Sequence, residues 1–514
     1  MTKKVNMPTH GKTVSGNKKA YDRFLTTERY RKSRIYGRTL EEEADSDRGR
    51  VLFSAPFRRL QNRAQVFALE SNDAIHSRLT HSIEVSSIGR YVAQQAFKGF
   101  SGEESERLGL AGKERPFITF VETACLIHDL GNPPYGHFGE VAISDWFHTK
   151  ESDLRPHDIA GAAKAHWDEL FEDFVHFDGN PQGFRIVSKL QPRKTDDLFG
   201  MNLTATTLGA ILKYPWSSSC VAGDKKKAGY FCTEGDVVCW LREVMGMNDK
   251  CRHPLVYLME AADDIAYCIS DIEDGIEKGI VVPQDFARSM TQKISRIRKH
   301  KVPSNAEPDM QSMNRALADL SHPRKDSLIC MEDLRGSVVR LLARSAGLAF
   351  VRHQKDVLDG SAVPLLHHGQ AEGLLRALND FAEENLYSST VVRDREITAH
   401  AVLAGLLERY CPLMSCDRSR FELALDGRQH DNMGRRITYE KSLLDCVGKK
   451  HLAVYRQEVQ RSDKKHGTDE GLTQVAERIH RMRMVVDYVS GMTDEFALQT
   501  FRLVSGMALS RQRR

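Results

Sequence analysis

The sequence predicts a mostly α-helical protein. Apolar residues recur at helical spacing in segment after segment, and no convincing run of alternating strand residues interrupts them. The apolar run Ile118, Val121, Cys125 and His128, at i, i+3, i+7 and i+10, stops at a bend rich in Gly and Pro, as a helix entering a turn does. With 514 residues the chain exceeds what one hydrophobic core serves, so two to four substructures are expected, unless one helical domain has grown by insertion. Hydrophobic residues at 41% and charged residues at 28% fit a soluble globular protein and argue against long disorder. No internal repeat is present.

Residues 1 to 21 hold five Lys and no acid, and the chain closes on Arg511-Gln512-Arg513-Arg514. The net charge of +4 is too small to require a polyanion partner, so these ends read as solvated tails or as nucleic-acid contacts. No stretch of some 18 apolar residues exists, and no hydrophobic leader precedes the basic start, so a cytoplasmic setting without a membrane span is expected. The ten Cys fall without a CxxC, which indicates neither a disulfide framework nor a Cys-type zinc site.

Helical patterning begins near Tyr21 and runs through the basic, aromatic stretch Arg29 to Tyr36, which suits an exposed helix face or a surface that stacks on bases. Asp45 to Phe67 reads as a helix followed by a loop. Thr80 stands where an N-cap belongs, and His81, Val85, Ile88 and Val92 then share one stripe, which puts an inward His near a helix start. His128-Asp129 ends the next apolar helix, and the turn after it adds His137 and Glu140. Alone, the pair fits a buried core histidine with a helix-terminal carboxylate as well as it fits a metal site with an acid/base partner.

Residues 145 to 250 are less regular and look like an insertion carrying loops, with Lys213 and Lys225 to Lys227 as cations for phosphate or for solvated turns. In the helix from Leu255 to Asp274, Met259, Asp263, Tyr267 and Asp271 are spaced by four along one strip. An inward carboxylate on an apolar helix needs a cation or strong hydrogen bonds, so Asp263 is a candidate further ligand. Residues 286 to 327 are basic and densest at Lys293 to Lys301, a solvated face or a nucleic-acid contact. Beyond it, Leu334 to Leu386, Ile397 to Leu407 and Gln474 to Leu509 again show helical spacing.

Spacing alone does not bring His81, His128-Asp129 and Asp263 together. Longer motifs surround them: Ser46-Asp47-Arg48-Gly49-Arg50, Arg78-Leu79-Thr80-His81-Ser82, His128-Asp129-Leu130-Gly131-Asn132-Pro133-Pro134-Tyr135-Gly136-His137-Phe138-Gly139-Glu140, Glu260-Ala261-Ala262-Asp263-Asp264-Ile265-Ala266-Tyr267 and Tyr488-Val489-Ser490-Gly491-Met492-Thr493-Asp494. In content and order this set resembles the bacterial deoxyguanosinetriphosphate triphosphohydrolases of the HD superfamily, over residues 45 to 500.

The resemblance implies a helical HD core at 45–285 with an insertion at 145–250, a basic extension at 1–44, and a helical region at 286–514 that completes the substrate pocket and the oligomer contacts. It implies hydrolysis of dGTP to deoxyguanosine and intact triphosphate by attack at the α-phosphorus. His81, His128, Asp129 and Asp263 would hold a divalent metal, Mg2+ or Mn2+, while two imidazoles with two carboxylates suit Fe, Co or Zn as well. His137 would act at the reacting phosphate with Glu140 orienting it. The substrate contacts it implies are Gln65, Asn180, Lys213, Tyr214, Tyr267, Asp271 and Glu408, with Tyr267 against the sugar where a 2′-hydroxyl finds no room and Asp271 on the 3′-hydroxyl. For the base it implies a basic residue near Arg435, Arg436 or Lys441. Relatives form homo-oligomers, commonly hexamers, and some bind single-stranded DNA. The rival readings are a broader dNTP triphosphohydrolase, another HD nucleotide phosphohydrolase, and a nucleic-acid-binding regulator that senses nucleotides.

Overall fold

The computed structural model describes residues 19–33, 35–67, 72, 75–191, 200–297 and 307–508. Helices follow one another throughout, and among the described residues β-pairing is limited to isolated bridges. The mostly α fold expected from the sequence is the fold observed. Numbered over the helices used below, these are α1 (Leu40–Leu52), α2 (Arg78–Gly99), α3 (Glu114–Ile127), α4 (His137–Leu154), α5 (Gly161–Val175), α6 (Gly179–Ser188), α7 (Ala205–Ile211), α8 (Gly235–Met245), α9 (Pro254–Glu277), α10 (Ser327–Arg352), α11 (Gly369–Ala382), α12 (Thr390–Ser415), α13 (Lys449–His466), α14 (Glu470–Ser490) and α15 (Asp494–Val504).

Buried apolar side chains gather in three cores. The first joins α2, α3, α9, α10 and α11, the second joins α4, α5, α12 and α14, and the third holds α6, α7, α8 and the segment around Phe57. The stretch from Cys125 to Ala142 enters all three: Cys125 belongs to the first, Leu126, Ile127 and Leu130 to the third, Tyr135 and Ala142 to the second. The His-Asp turn therefore sits where the three cores meet, and packing on three sides limits its freedom to move.

Several local expectations are corrected. No helix runs from Tyr21 to Tyr36; after a short 3-10 turn, Ala20–Arg23, the next helix begins at Leu40 behind the N-cap Thr39. Arg29 is buried against Glu43 and Asp47, and Tyr30 packs edge-on to Trp240 at 5.2 Å, so these two side chains hold the fold rather than offer a nucleic-acid surface. Asp47, from the Ser46 to Arg50 motif, accepts from the Thr204 N–H and from the hydroxyls of Thr204 and Thr207, which anchors the start of α7. The N-cap of α2 is Ser77, not Thr80: Ser77 Oγ accepts from the Thr80 N–H and Thr80 Oγ1 accepts from the Ser77 N–H, a reciprocal box that starts the helix one turn earlier.

The described residues between 145 and 250 are more regular than their composition suggests, with α5, α6 and α8 supplying Trp167, Phe171 and Phe174 to the second core and Phe184 and Leu241 to the third. Residues 286 to 297 and 307 to 386 supply side chains to the first core beside α9. The basic residues 298–301, the Lys residues before Lys19 and the terminal Arg cluster lie outside the described residues. No helix among the described residues is long and apolar enough to cross a membrane.

Behind the third core, Arg185 is buried on α6 and meets Glu234 at 2.7 Å, Glu458 at 3.1 Å and Asp487 at 2.8 Å. One guanidinium thus joins α6 to α13 and α14. Arg185→Met is expected to strand these carboxylates in a buried site and cost about 3–5 kcal/mol, read as a lowered midpoint in urea unfolding.

Candidate active site

Helix α2 carries His81 in its first turn, 1% exposed, and α3 ends at His128. The His128 Nδ1 lies 2.6 Å from the carbonyl of Cys125, which can only accept, so Nδ1 carries a proton and Nε2 is the nitrogen left for a ligand or a second proton. That Nε2 stands 3.3 Å from Asp263 Oδ1 on α9, and His81 Nε2 stands 3.5 Å from the same oxygen. The two imidazoles meet edge to face at 5.3 Å.

Such a grouping suits a metal ion. The Nε2 of His128 is buried with no hydrogen-bond partner and faces an acceptor oxygen, an arrangement that calls for a cation between them. With bonds of about 2.1 Å, two ligands at 90° to 110° stand about 3.0–3.4 Å apart, close to the 3.3 and 3.5 Å between Asp263 Oδ1 and the two Nε2 atoms. Burial opposes charge on His128, but Asp263 and Asp129 outweigh it and raise the imidazole to about 9. Burial likewise works against charge on Asp263, yet His128, His81 and Lys213 hold its carboxyl well below the ordinary range.

Asp129 stands beside the trio. Its Oδ1 is 3.6 Å from His128 Nε2 and accepts from Asn132 Nδ2 at 2.6 Å, while Oδ2 meets Arg78 Nη1 at 2.5 Å. The atoms that lie within 4.8 Å of one another belong to His81, His128 and Asp263. Arg78, one turn before His81 on α2, is the neighbour that overcomes burial and holds Asp129 below its usual pKa. No apolar spacing marks Arg78, although it opens the motif around His81.

The turn from Gly131 to Gly136 is shaped by contacts that exclude side chains. A Cβ at Gly131 would lie 2.0 Å from the Gly179 carbonyl. Gly136 has φ 60 and ψ −131, and a Cβ there would stand 2.4 Å from Arg78 Nη2. Gly136→Ala is expected to cost about 1–3 kcal/mol through backbone strain and to push Arg78 off Asp129, seen as a lower thermal midpoint than wild type under metal-free conditions.

Asp494 at the start of α15 clamps the turn from the far end of the sequence. Its carboxylate accepts from the Tyr135 and Ala64 N–H groups at 3.0 Å each, and its carbonyl accepts from the Tyr135 hydroxyl at 3.1 Å. Arg63 donates to the carbonyls of Met492, Ser490 and Asn132. These bonds tie the Tyr488 to Asp494 motif to the His-Asp turn and hold Tyr135 at φ 63, unusual for a residue with a Cβ.

From that turn α4 emerges with His137, 72% exposed at its side chain, whose Nδ1 is 2.8 Å from Glu140 Oε2. Glu140 Oε1 accepts from the Gly179 N–H at 2.7 Å, so one carboxylate spans from the imidazole to the start of α6. The Glu140 bond raises the pKa of His137.

The structure distributes the remaining sequence candidates around this centre. Lys213 lies near Asp263 and 3.9 Å from Glu260, and these carboxylates overcome burial to raise its pKa. Asn180 Nδ2 donates to Asp178, the N-cap of α6, and Lys227 Nζ reaches the same Asp178 at 3.4 Å. Tyr214 packs on Trp216 at 5.9 Å. Gln65 Oε1 is buried without a partner, next to Ala64 and the Asp494 clamp. Tyr267 and Asp271 follow Asp263 along α9, the first 39% exposed and the second buried. Glu408 is set apart: its carboxylate accepts from Trp146 at 3.0 Å and Lys150 at 3.2 Å, and Trp146 lies roughly 13 Å along α4 from His137 at 1.5 Å per residue. Arg435 is paired with Asp431 at 2.7 Å in the turn before the helix Thr438–Cys446.

The HD-domain family model matches residues 78–206, which contain His81, His128-Asp129, His137 and Glu140. A phosphohydrolase-associated domain matches residues 462–503, the segment that clamps the turn. Among curated proteins, the chain is 33% identical over 485 residues to a probable deoxyguanosinetriphosphate triphosphohydrolase of Pseudomonas aeruginosa, covering 90% of this chain and 93% of that one. It is 33% identical to the deoxyguanosinetriphosphate triphosphohydrolase of Serratia proteamaculans, covering 90% and 94%, and 32% identical to that of Salmonella typhimurium, covering 89% and 92%. With a third of its residues shared along nine-tenths of its length, this chain belongs to the deoxyguanosinetriphosphate triphosphohydrolase family of HD-domain phosphohydrolases.

Proposed function

We propose that the protein hydrolyses dGTP to deoxyguanosine and inorganic triphosphate. Water adds to the α-phosphorus, the bond from that phosphorus to the 5′-oxygen breaks, and the 5′-oxygen leaves as the nucleoside hydroxyl. The observation that carries this reading is the convergence of His81, His128 and Asp263 beside Asp129, with both histidines and Asp129 inside the HD-domain match and Asp263 brought to them by α9. A divalent ion held by these four residues would draw negative charge from the α-phosphate and acidify water. Mg2+ or Mn2+ is our assignment, with Fe, Co and Zn compatible with the same ligands.

His137, held through Nδ1 by Glu140, presents Nε2 for proton transfer at the reacting phosphate. Lys213, Lys227 and Arg78 supply positive charge around the site for a triphosphate. Gln65, Asn180, Tyr214, Tyr267 and Asp271 bind the rest of the substrate, with Tyr267 and Asp271 on the sugar. Glu408 completes the set. We assign the protein to the cytoplasm as a homo-oligomer, hexameric like related enzymes, with single-stranded DNA as a regulator that meets the exposed Tyr36 and the Lys-rich start.

Product analysis tests the reaction. Incubation with Mg2+ or Mn2+ and each of dGTP, dATP, dCTP, dTTP and GTP is expected to yield inorganic triphosphate, fastest from dGTP. Release of pyrophosphate with a monophosphate, or of single phosphate, would overturn the reading. Comparable triphosphate release from all four dNTPs would replace it with a broader triphosphohydrolase.

A further inference from the structure

Helix α11 does not end in a plain α-helical turn. Glu383–Tyr387 continues it as a π-helix, a wide turn of the kind that often marks functional positions in other proteins. Its last residue, Tyr387, meets both sugar-side residues of α9. The Tyr387 ring stacks on Tyr267 with centroids 6.3 Å apart and planes at 20°, and its hydroxyl donates to Asp271 Oδ2 at 2.5 Å. Asp271 itself is 1% exposed, and its other oxygen, Oδ1, is buried without a hydrogen-bond partner.

A buried carboxylate oxygen without a donor is costly unless something supplies one. Of the two oxygens of Asp271, Tyr387 satisfies one and leaves the other, buried, without a donor on the strip that leads from Asp263. Tyr267, one turn before Asp271, is the more exposed member of the stacked pair, so Tyr387 limits how far its ring can withdraw from an incoming sugar.

We propose that Tyr387 is a positioning residue for sugar recognition: it holds Asp271 by Oδ2 so that Oδ1 accepts a hydroxyl of the substrate, and it backs the Tyr267 ring so that this ring closes against the 2′ position. The two functions use different parts of one side chain. The hydroxyl serves 3′-hydroxyl recognition, and the ring serves the exclusion of ribose. The inference rests on the triphosphohydrolase reading above.

Two variants separate the parts. Tyr387→Phe keeps the ring and loses the donor; it is expected to raise KM for dGTP about tenfold with little change in kcat, to leave KM for 2′,3′-dideoxyguanosine triphosphate unchanged, and to keep wild-type discrimination against GTP. Tyr387→Leu removes the backing ring and is expected to lower the dGTP to GTP ratio of kcat/KM at least fivefold, which Tyr387→Phe does not. An equal KM increase for dGTP and the dideoxy analogue in Tyr387→Phe, or no increase for either, overturns the assignment, as does unaltered GTP discrimination in Tyr387→Leu. Wild-type enzyme assayed in parallel keeps the two levels apart. If it releases no triphosphate from any dNTP, both readings fall; if it is active and the variants behave alike on all substrates, only the Tyr387 assignment falls.

Discussion

Asp263→Ala is expected to abolish triphosphate release, by at least about a thousandfold, and to remove tight binding of Mn2+. Its Oδ1 is the point on which the Nε2 atoms of both His81 and His128 converge, so the substitution takes away the shared anionic corner of the site. Loss of one ligand and one charge from a four-residue set weakens metal affinity by several kcal/mol. Isothermal titration with Mn2+, paired with the product assay, is the measurement; full activity with unchanged metal affinity would refute the assignment. Asp129→Ala is expected to be inactive as well, by a different route, because it also leaves Arg78 and Asn132 without their common acceptor. The same site fixes the sign of a pH dependence. His128 in the metal-free protein has a pKa raised to about 9, so below that pH the ion must displace a proton. Apparent affinity for Mn2+ should therefore fall about tenfold per pH unit below 9 for this one proton, and His128→Ala should lose that slope along with the affinity.

How much of this was legible in the sequence depends on how each residue is presented. His81, His128 and Asp263 each sit on a helix with a clear apolar period, and the period alone turned each toward the core. Their meeting point was not readable from spacing, because α2, α3 and α9 are brought together by a shared core and not by any local rule. Helix α6 was hidden for another reason: its first turns, Gly179-Asn180-Pro181-Gln182-Gly183, read as a loop, and nine of its ten residues are buried, Gln182 and Arg185 among them, so polarity does not mark an exposed side. Asp494 and Tyr387 lay beyond reach of a spacing argument. The first acts on Tyr135 across 359 residues of chain and the second on Asp271 across 116, and the π-turn that delivers Tyr387 has no signature in its polar surroundings. The stretch after Tyr21 misled in the other direction, since Tyr21, Phe24 and Leu25 are buried at helical intervals but the chain beyond them is held extended by side chains such as Thr206, whose Oγ1 accepts from the Thr26 N–H at 2.8 Å.

The second large effect is expected from Glu140→Gln, which should lower kcat about a hundredfold while leaving Mn2+ affinity near wild type. Glu140 uses both oxygens as acceptors, one toward His137 Nδ1 at 2.8 Å and one toward the Gly179 N–H at 2.7 Å. A glutamine offers one acceptor and one donor in their place. If the oxygen stays on the Gly179 N–H, the amide N–H faces His137 Nδ1, which must then accept and move the ring proton to Nε2; if it stays on His137, two N–H groups face each other at Gly179 and α6 loses its tie to the turn. Because the carboxylate raises the pKa of His137, its neutralisation also shifts that group back toward its ordinary value. The limb of the kcat profile that follows His137 should accordingly move to lower pH in Glu140→Gln and disappear in His137→Ala, a variant expected to lose about 10²- to 10⁴-fold in kcat. With its side chain 72% exposed, His137 contributes little packing, so a fall in activity without a fall in unfolding midpoint separates a chemical role from a structural one. Equal kcat in wild type and His137→Ala would remove the imidazole from the reaction and leave Glu140 as a strut between α4 and α6.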